Sequence, residues 1–288
     1  MKNINFIAIL LVILLTTFSC TKSEEILTLD DEIDYFDISD KPKHKWNELD
    51  SLCDSIYKAY GVKVIYEFTP RLIRTGAAFY YPPNYHNALE YTRLMVAKFW
   101  LDPVKKNFPK YLNTEMPREY ILMGGSYHGT QVNIGESSGA GFNGQFYRLG
   151  MGSVNLFNKS DRAWLYNHLV ILWHEHAHNQ DQKYGRGETF DKISAGTYYA
   201  EAWTTKSDPD ANKDGFFRKY GGFAPEEDFA TTVEHITRFS KSSVETFITQ
   251  SEKLKTKYLY LSKFYNDKGM DLHRLHELCD SVVNKTNY

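Results

Sequence analysis

His174, Glu175 and His178 carry the clearest chemistry in the chain, within Leu169-Val170-Ile171-Leu172-Trp173-His174-Glu175-His176-Ala177-His178. They spell H-E-x-x-H at the end of an apolar, helical-looking stretch. On a helix, positions four apart lie one above the other, so His174 and His178 project from one face. Two imidazoles placed that way can both reach one Zn²⁺ at about 2.0–2.1 Å. Glu175 stands one step round the helix, beside the metal, where a carboxylate can take a proton from metal-bound water. The pattern makes a zinc-dependent hydrolase the leading expectation. His176 points away from both neighbours and is assigned to packing or to supporting a ligand.

The competing reading is a solvent-facing helix that happens to hold three histidines. Against it, no strongly polar residue stands between His168 and His174. Burial of that surface leaves the histidines where core meets cleft. Zinc in a hydrolase takes three protein ligands and one water, so a third ligand must come from elsewhere. The metzincin extension H-E-x-x-H-x-x-G-x-x-H is excluded, because Asp181 stands where its glycine belongs and Tyr184 where its last histidine belongs. A carboxylate on a second helix is the other common solution. Glu226-Glu227-Asp228-Phe229-Ala230 opens such a helix downstream. Each step along it turns the side chain by about 100°, so Glu226, Glu227 and Asp228 are rivals, not partners.

The elements that must position these residues follow from apolar spacing. Helical spacing runs from Trp46 through Leu49, Leu52 and Ile56 to Tyr60 and stops at Gly61. Val62 to Phe68 alternates as a strand does, a long helix fits Tyr85 to Phe108, and Glu119 to Met123 reads as a second strand. Residues 136–153 are glycine-rich without a phosphate-binding pattern, and the run from Glu136 to Gly144 reads as a mobile loop. Gln145 to Met151 has strand character, and Asp161 is placed to cap the motif helix. A free edge on that strand could pair with an extended substrate backbone, or it could be an ordinary sheet edge. Asn179 to Lys206 reads as irregular and polar. Asp210, Asn212, Asp214 and Gly215 imitate the first half of a calcium loop, but Gly221 replaces the bidentate Glu at its twelfth position, which favours a plain turn. Residues 226–286 are helical throughout. His128, His168, His235, His273 and His276 are scattered, and the last two read as helix surface. Together these elements predict one α+β catalytic domain with a mixed sheet, an active-site helix and a helical C-terminal half.

The N-terminus reads as an export signal over residues 1–19. Lys2 supplies a positive charge, and Phe6 to Leu15 is an apolar core too short for a comfortable membrane span. Thr17-Phe18-Ser19-Cys20 places a small residue before a cysteine, as lipoprotein signals do, although Phe18 fits loosely. Lipidation of Cys20 would anchor the chain to the outer membrane; the acidic Glu24-Glu25 resembles surface-export tags. Ordinary cleavage nearby, giving a soluble periplasmic protein, is the alternative. Residues 20–44 are acidic and turn-rich and read as a flexible tether, with the catalytic domain over 45–288. Cys53 and Cys279 could form one disulfide, but burial as free thiols fits their helical settings at least as well. With 34 basic and 36 acidic residues and a net charge of −2, no basic field for nucleic acid exists. Twenty-one Tyr and 18 Phe suggest an aromatic cleft as well as a core.

The H-E-x-x-H helix, the later Gly215-Phe216-x-x-x-Tyr220 and Glu227-Asp228-Phe229-Ala230 together resemble zinc metallopeptidase lipoproteins found beside outer-membrane nutrient importers. That group shares a gluzincin-like arrangement with the catalytic domain of anthrax lethal factor. The resemblance rests on residues 145–240 and agrees with the lipoprotein start. It implies a zincin-like fold, Glu227 as third zinc ligand and Tyr220 facing the metal; Gln182 also fits its pattern. Thr231 departs from it, because the family's E-x-F-A-E carries a second glutamate there. That carboxylate orients a ligand histidine, so Thr231, or another group such as Glu234, must do the work, or the site is weaker.

The expected mechanism is hydrolysis of a peptide bond in a peptide or protein by zinc-activated water, with Glu175 as general base and Tyr220 donating to the oxyanion. An outer-membrane import complex is the implied partner. Two alternatives remain: a surface-anchored binding component of a nutrient-import system with a non-catalytic metal site, and an amidase acting on cell-wall peptides or glycan-linked amides.

Overall fold

The computed structural model describes residues 41–67, 78–79, 81–125, 128–129, 139–141, 145–285 and 287. The export signal, nearly all of the tether, and most of the glycine-rich segment read as a loop lie outside these residues. Among the described residues no helix is long and apolar enough to cross a membrane. The Lys41 ammonium reaches the Asp50 carboxylate at 3.2 Å and the Tyr66 hydroxyl at 3.1 Å.

Asn47 starts α1 (Glu48–Tyr60) with a reciprocal capping box, each of Asn47 and Asp50 accepting from the other's backbone N–H. Leu49, Cys53 and Ile56 give the helix its buried face. Among the described residues six strands follow: β1 (Lys63–Ile65), β2 (Ala78–Phe79), β3 (Glu119–Leu122), β4 (His128–Gly129), β5 (Gly139–Gly141) and β6 (Arg148–Met151). Four of them form a mixed sheet in the order β1-β3-β6-β5. β1, β3 and β6 are parallel, with Val64 beside Tyr120 and Tyr120 beside Leu149, whereas β5 runs antiparallel to β6. β2 and β4 pair separately. The long helix expected over Tyr85–Phe108 is present as α2 (Tyr85–Tyr91), a π-helical stretch Thr92–Leu101 and α3 (Asp102–Asn107). α4 (Pro109–Glu115) follows after a break at Phe108.

The expectation of a free edge at Gln145–Met151 is corrected. β6 is an interior strand, hydrogen-bonded on both sides, and among the described residues the outermost strand on that side is β5, within the glycine-rich segment. A second correction concerns Asn179–Lys206. The motif helix α5 (Arg162–Tyr184) runs on past the motif, followed by α6 (Glu188–Ile193) and a 3₁₀ turn Ala200–Thr205. Polarity misled the sequence reading here. Asn179, Gln180 and Asp181 are buried polar residues of a helix enclosed on most sides, with Asn179 donating to the Arg148 carbonyl and Gln180 to that of Glu115.

The helical C-terminal half comprises α7 (Asp208–Asp214), α8 (Pro225–Arg238), α9 (Lys241–Phe247), α10 (Glu252–Lys268) and α11 (Leu272–Asp280). The calcium-like sequence is neither a metal loop nor a plain turn. It is α7 itself, closed by Gly215 at φ +97°, a left-handed conformation that L side chains avoid. Asn212 then donates to the carbonyls of Phe216 and Phe217. His273 and His276 are also corrected: both are half-buried, His273 against the Tyr258 hydroxyl at 2.9 Å and His276 against the Thr237 carbonyl at 3.1 Å. Cys53 and Cys279 are buried and unpaired. α5 packs on β5 and β6 on one side and on α8 on the other. That sandwich places the end of the motif helix against the start of the helix carrying the acidic cluster.

Candidate metal centre

Asp161 begins α5 as expected, its carboxylate accepting from the Trp164 backbone N–H at 2.9 Å. Leu165, Leu169, Leu172 and Trp173 bury the helix in the core, so the turn that follows reaches the interior with its histidines. His174 and Glu175 are each only 7% exposed. The two motif rings stand nearly perpendicular, at 81° and 5.0 Å between centroids.

Pro225 opens α8 at a position where its missing N–H is harmless, and Glu226, Glu227 and Asp228 fill the first turn, where the helix dipole favours acids. The three rivals separate cleanly. Glu226 faces solvent. Asp228 is fully buried against Lys257 of α10, with Nζ–Oδ2 at 2.7 Å, while the Tyr198 hydroxyl donates to it at 3.0 Å. Glu227 alone turns toward α5. Its Oε2 lies 3.3 Å from His174 Nε2 and 3.5 Å from His178 Nε2.

These three atoms form the one group of potential metal ligands among the described residues. Ligands about 2.0–2.1 Å from a tetrahedral zinc stand about 3.3 Å from one another, close to the two separations found here. Glu227 Oε2 is moreover buried without a proper hydrogen bond, an arrangement that costs free energy unless a cation completes it. The residues fit zinc: two nitrogens and one oxygen, with the fourth direction left to water.

Burial disfavours a charged His174, but the Glu227 and Glu234 carboxylates beside its ring outweigh it and raise its pKa to about 10. Burial likewise works against ionised Glu227, yet His174 and His178 hold its carboxyl well below the usual carboxylate range. Glu175 is raised by burial first and by Glu227 and Glu234 next, with the two histidines opposing.

Behind His174, Nδ1 meets Glu234 Oε2 at 3.1 Å. An ionised carboxylate only accepts, so Nδ1 carries a proton and Nε2 is the nitrogen that would bind a metal. Arg218 Nη1 donates to both Glu234 oxygens, at 2.6 and 2.8 Å, and Arg238 Nη2 to one at 3.1 Å. Of the two stand-ins weighed for the absent second glutamate, Glu234 touches His174. The Thr231 hydroxyl is spent inside α8, donating to the Glu227 carbonyl at 2.7 Å.

Tyr220 lies on a 3₁₀ turn, Lys219–Gly222, that packs on the start of α8. The approach is close because a Cβ at Gly221 would come within 2.5 Å of Thr231 Oγ1. The Tyr220 ring lies near-parallel to that of His174, with centroids 6.4 Å apart, and Trp203 meets its other side edge-on at 4.9 Å. Burial, then the Glu227 and Glu175 carboxylates, raise the Tyr220 hydroxyl, so it stays a proton donor. His176 points into the core toward Tyr111, with Nε2 3.1 Å from the hydroxyl, and burial lowers its pKa to about 3.

Arg218 was missed from sequence. The only signal for it was an arginine two residues before Tyr220. Glu234, seven positions after Glu227 and hence two turns along the same helix face, was the acid it would need.

A solved structure described as a "putative zinc-binding metallo-peptidase" from Bacteroides caccae shares the fold at a TM-score of 0.62 and 20% identity, covering 86% of this chain and 96% of that one. No curated protein matches. The family model described as "Putative zinc-binding metallo-peptidase" matches residues 42–269. With well over half of its length so matched, the chain belongs to this zinc-binding metallo-peptidase family.

Proposed function

We propose that the chain is a zinc-dependent metallopeptidase of the HExxH, gluzincin-like type that hydrolyses peptide bonds through an activated water. The observation that carries this reading is the convergence of His174 Nε2, His178 Nε2 and Glu227 Oε2, with Glu175 adjacent on α5. A purely structural metal site has no use for that buried glutamate. Bound zinc would supply Lewis acidity towards a carbonyl and make a water more acidic. Glu175 takes the proton of the attacking water and passes it to the leaving amine. The Tyr220 hydroxyl donates to the oxygen on which negative charge develops. Among the described residues β5 is the outermost strand of the sheet and packs on α5, so an extended peptide could add to that edge and set its register across the site.

Lipidation at Cys20 would anchor the enzyme to the outer membrane, exposed at the cell surface and next to an import complex that takes up the products. The deciding experiment is Glu175→Gln assayed beside the wild type on a peptide library, with zinc content measured in both. The expected result is equal zinc and at least a hundredfold loss of turnover in the variant. Full zinc in the wild type with no turnover of any peptide or amide would overturn the peptidase reading in favour of a binding component.

A further inference from the structure

Glu234 has three partners, His174, Arg218 and Arg238. Its Oε2 touches the Nδ1 side of His174 at 3.1 Å and accepts from Arg218 Nη1 at 2.8 Å, so a ligand imidazole and a guanidinium share one oxygen. Arg218 is two residues upstream of Tyr220, and its carbonyl accepts from the Gly221 N–H at 3.0 Å, closing the turn that presents Tyr220. Arg238 Nη2 holds the other Glu234 oxygen from the same helix, at 3.1 Å, and is itself tied to Asn167 of α5 at 2.9 Å. Glu234 is 2% exposed, so its carboxylate is held inside the protein, while Arg218 approaches it from the surface side.

Nothing else in contact can take over. Thr231 spends its hydroxyl on the Glu227 and Asp228 carbonyls, and the close approach of Gly221 leaves no room there for a longer side chain. The support for His174 thus comes from one helical turn further along α8. From there the Glu234 carboxylate also pairs with Arg218 ahead of the Tyr220 turn, whereas Thr231 meets that turn only by packing on Gly221.

We propose that Glu234 and Arg218 are positioning residues that couple occupancy of the metal site to the placement of Tyr220. Fixing His174 by metal fixes Glu234, Glu234 fixes Arg218, and Arg218 closes the Tyr220 turn. The metal therefore sets not only its own ligands but also the oxyanion donor. This rests on the zinc-peptidase reading for the role of Tyr220, but the linkage itself can be measured without turnover.

The test uses the full chain as wild type, Glu234→Gln, Arg218→Met and Arg218→Lys. Three readouts apply: zinc affinity by chelator competition, the visible spectrum of the cobalt-substituted site, and hydrogen exchange at the Gly221 and Phe223 amides with and without zinc. Glu234→Gln is expected to weaken zinc binding 10- to 100-fold and alter the cobalt spectrum, as loss of an outer-shell carboxylate does. In the wild type, zinc is expected to slow exchange at both amides. In Arg218→Met that protection is lost while the cobalt spectrum changes little, and any activity falls in kcat more than in KM. Arg218→Lys recovers it in part, because an ammonium on a flexible stem keeps the charge but not the fixed planar donor geometry of the guanidinium. Unchanged zinc affinity in Glu234→Gln overturns the first half of the proposal. Equal zinc protection of the turn in wild type and Arg218→Met, or in wild type and Arg218→Lys if the Met variant does not fold, overturns the second. Absence of turnover in the wild type would count against the peptidase reading and leave these outcomes intact.

Discussion

His168 gives the sharpest test of how this core treats charge. It sits one and a half turns before the motif on α5, with Nε2 2.8 Å from the Tyr91 hydroxyl, which in turn meets the Tyr120 hydroxyl at 3.0 Å. Its ring stacks on Trp164 at 4.4 Å and 15°. Burial lowers its pKa to about 3. A histidine in the unfolded chain titrates near 6.5. Between those values the unfolded state binds a proton that the folded state refuses, so stability rises with pH through this window. The contribution is whole above about pH 6.5 and is lost as pH falls toward 3. At pH 5 the loss is about 1.5 pH units at about 1.4 kcal/mol each, roughly 2 kcal/mol. His176 and His235, also lowered by burial to about 3 and about 4, lose stability over the same range. They are present in both proteins when wild type is compared with His168→Gln, so they cancel. Denaturant unfolding followed by circular dichroism at pH 8 and pH 5, with EDTA present to remove metal effects, reads the difference. The glutamine variant starts less stable because it loses the stacked ring, but it should lose about 2 kcal/mol less between the two pH values. An equal loss in the two proteins, within about 0.5 kcal/mol, refutes the reasoning.

Two further outcomes follow from the site's supports. Lys257→Met leaves Asp228 buried without its cation and should cost about 3–5 kcal/mol in unfolding free energy, with Asp228→Asn in the same chain restoring most of it; zinc affinity should fall as well, since Asp228 anchors the turn that carries Glu227. Tyr220→Phe should lower kcat about 100-fold, as loss of one oxyanion donor does, with zinc affinity little changed; a normal kcat on peptides would remove Tyr220 from the reaction.

The candidate site was unusually legible because two of the proposed ligands and the proposed base lie within one turn of one helix. A period of 3.6 residues is enough to put His174 and His178 on one face. The cap at Asp161, the helix from Glu48 to Tyr60 and the strands at Lys63–Ile65, Glu119–Leu122 and Arg148–Met151 were legible for the same reason, that their signals are local. Asn179 to Lys206 was not, because its polar residues find partners in distant segments: Asn179 in Arg148, Gln180 in Glu115 and Lys183 in the Thr114 carbonyl. The place of β6 was equally hidden, since whether a strand is an edge depends on Gly139–Gly141, whose composition argues against a strand at all.

Sequence alone determined the donor chemistry: two imidazoles and a neighbouring carboxylate on one helical turn, because that spacing is set by covalent geometry and hydrogen bonding along a single segment. Only the tertiary structure decided which of Glu226, Glu227 and Asp228 meets them, and that Glu234 with Arg218 stands behind His174. Those choices depend on how α8 is rotated about its axis. That rotation is set by the buried Asp228–Lys257 pair and by the packing of α8 on α5, contacts between residues far apart in the chain.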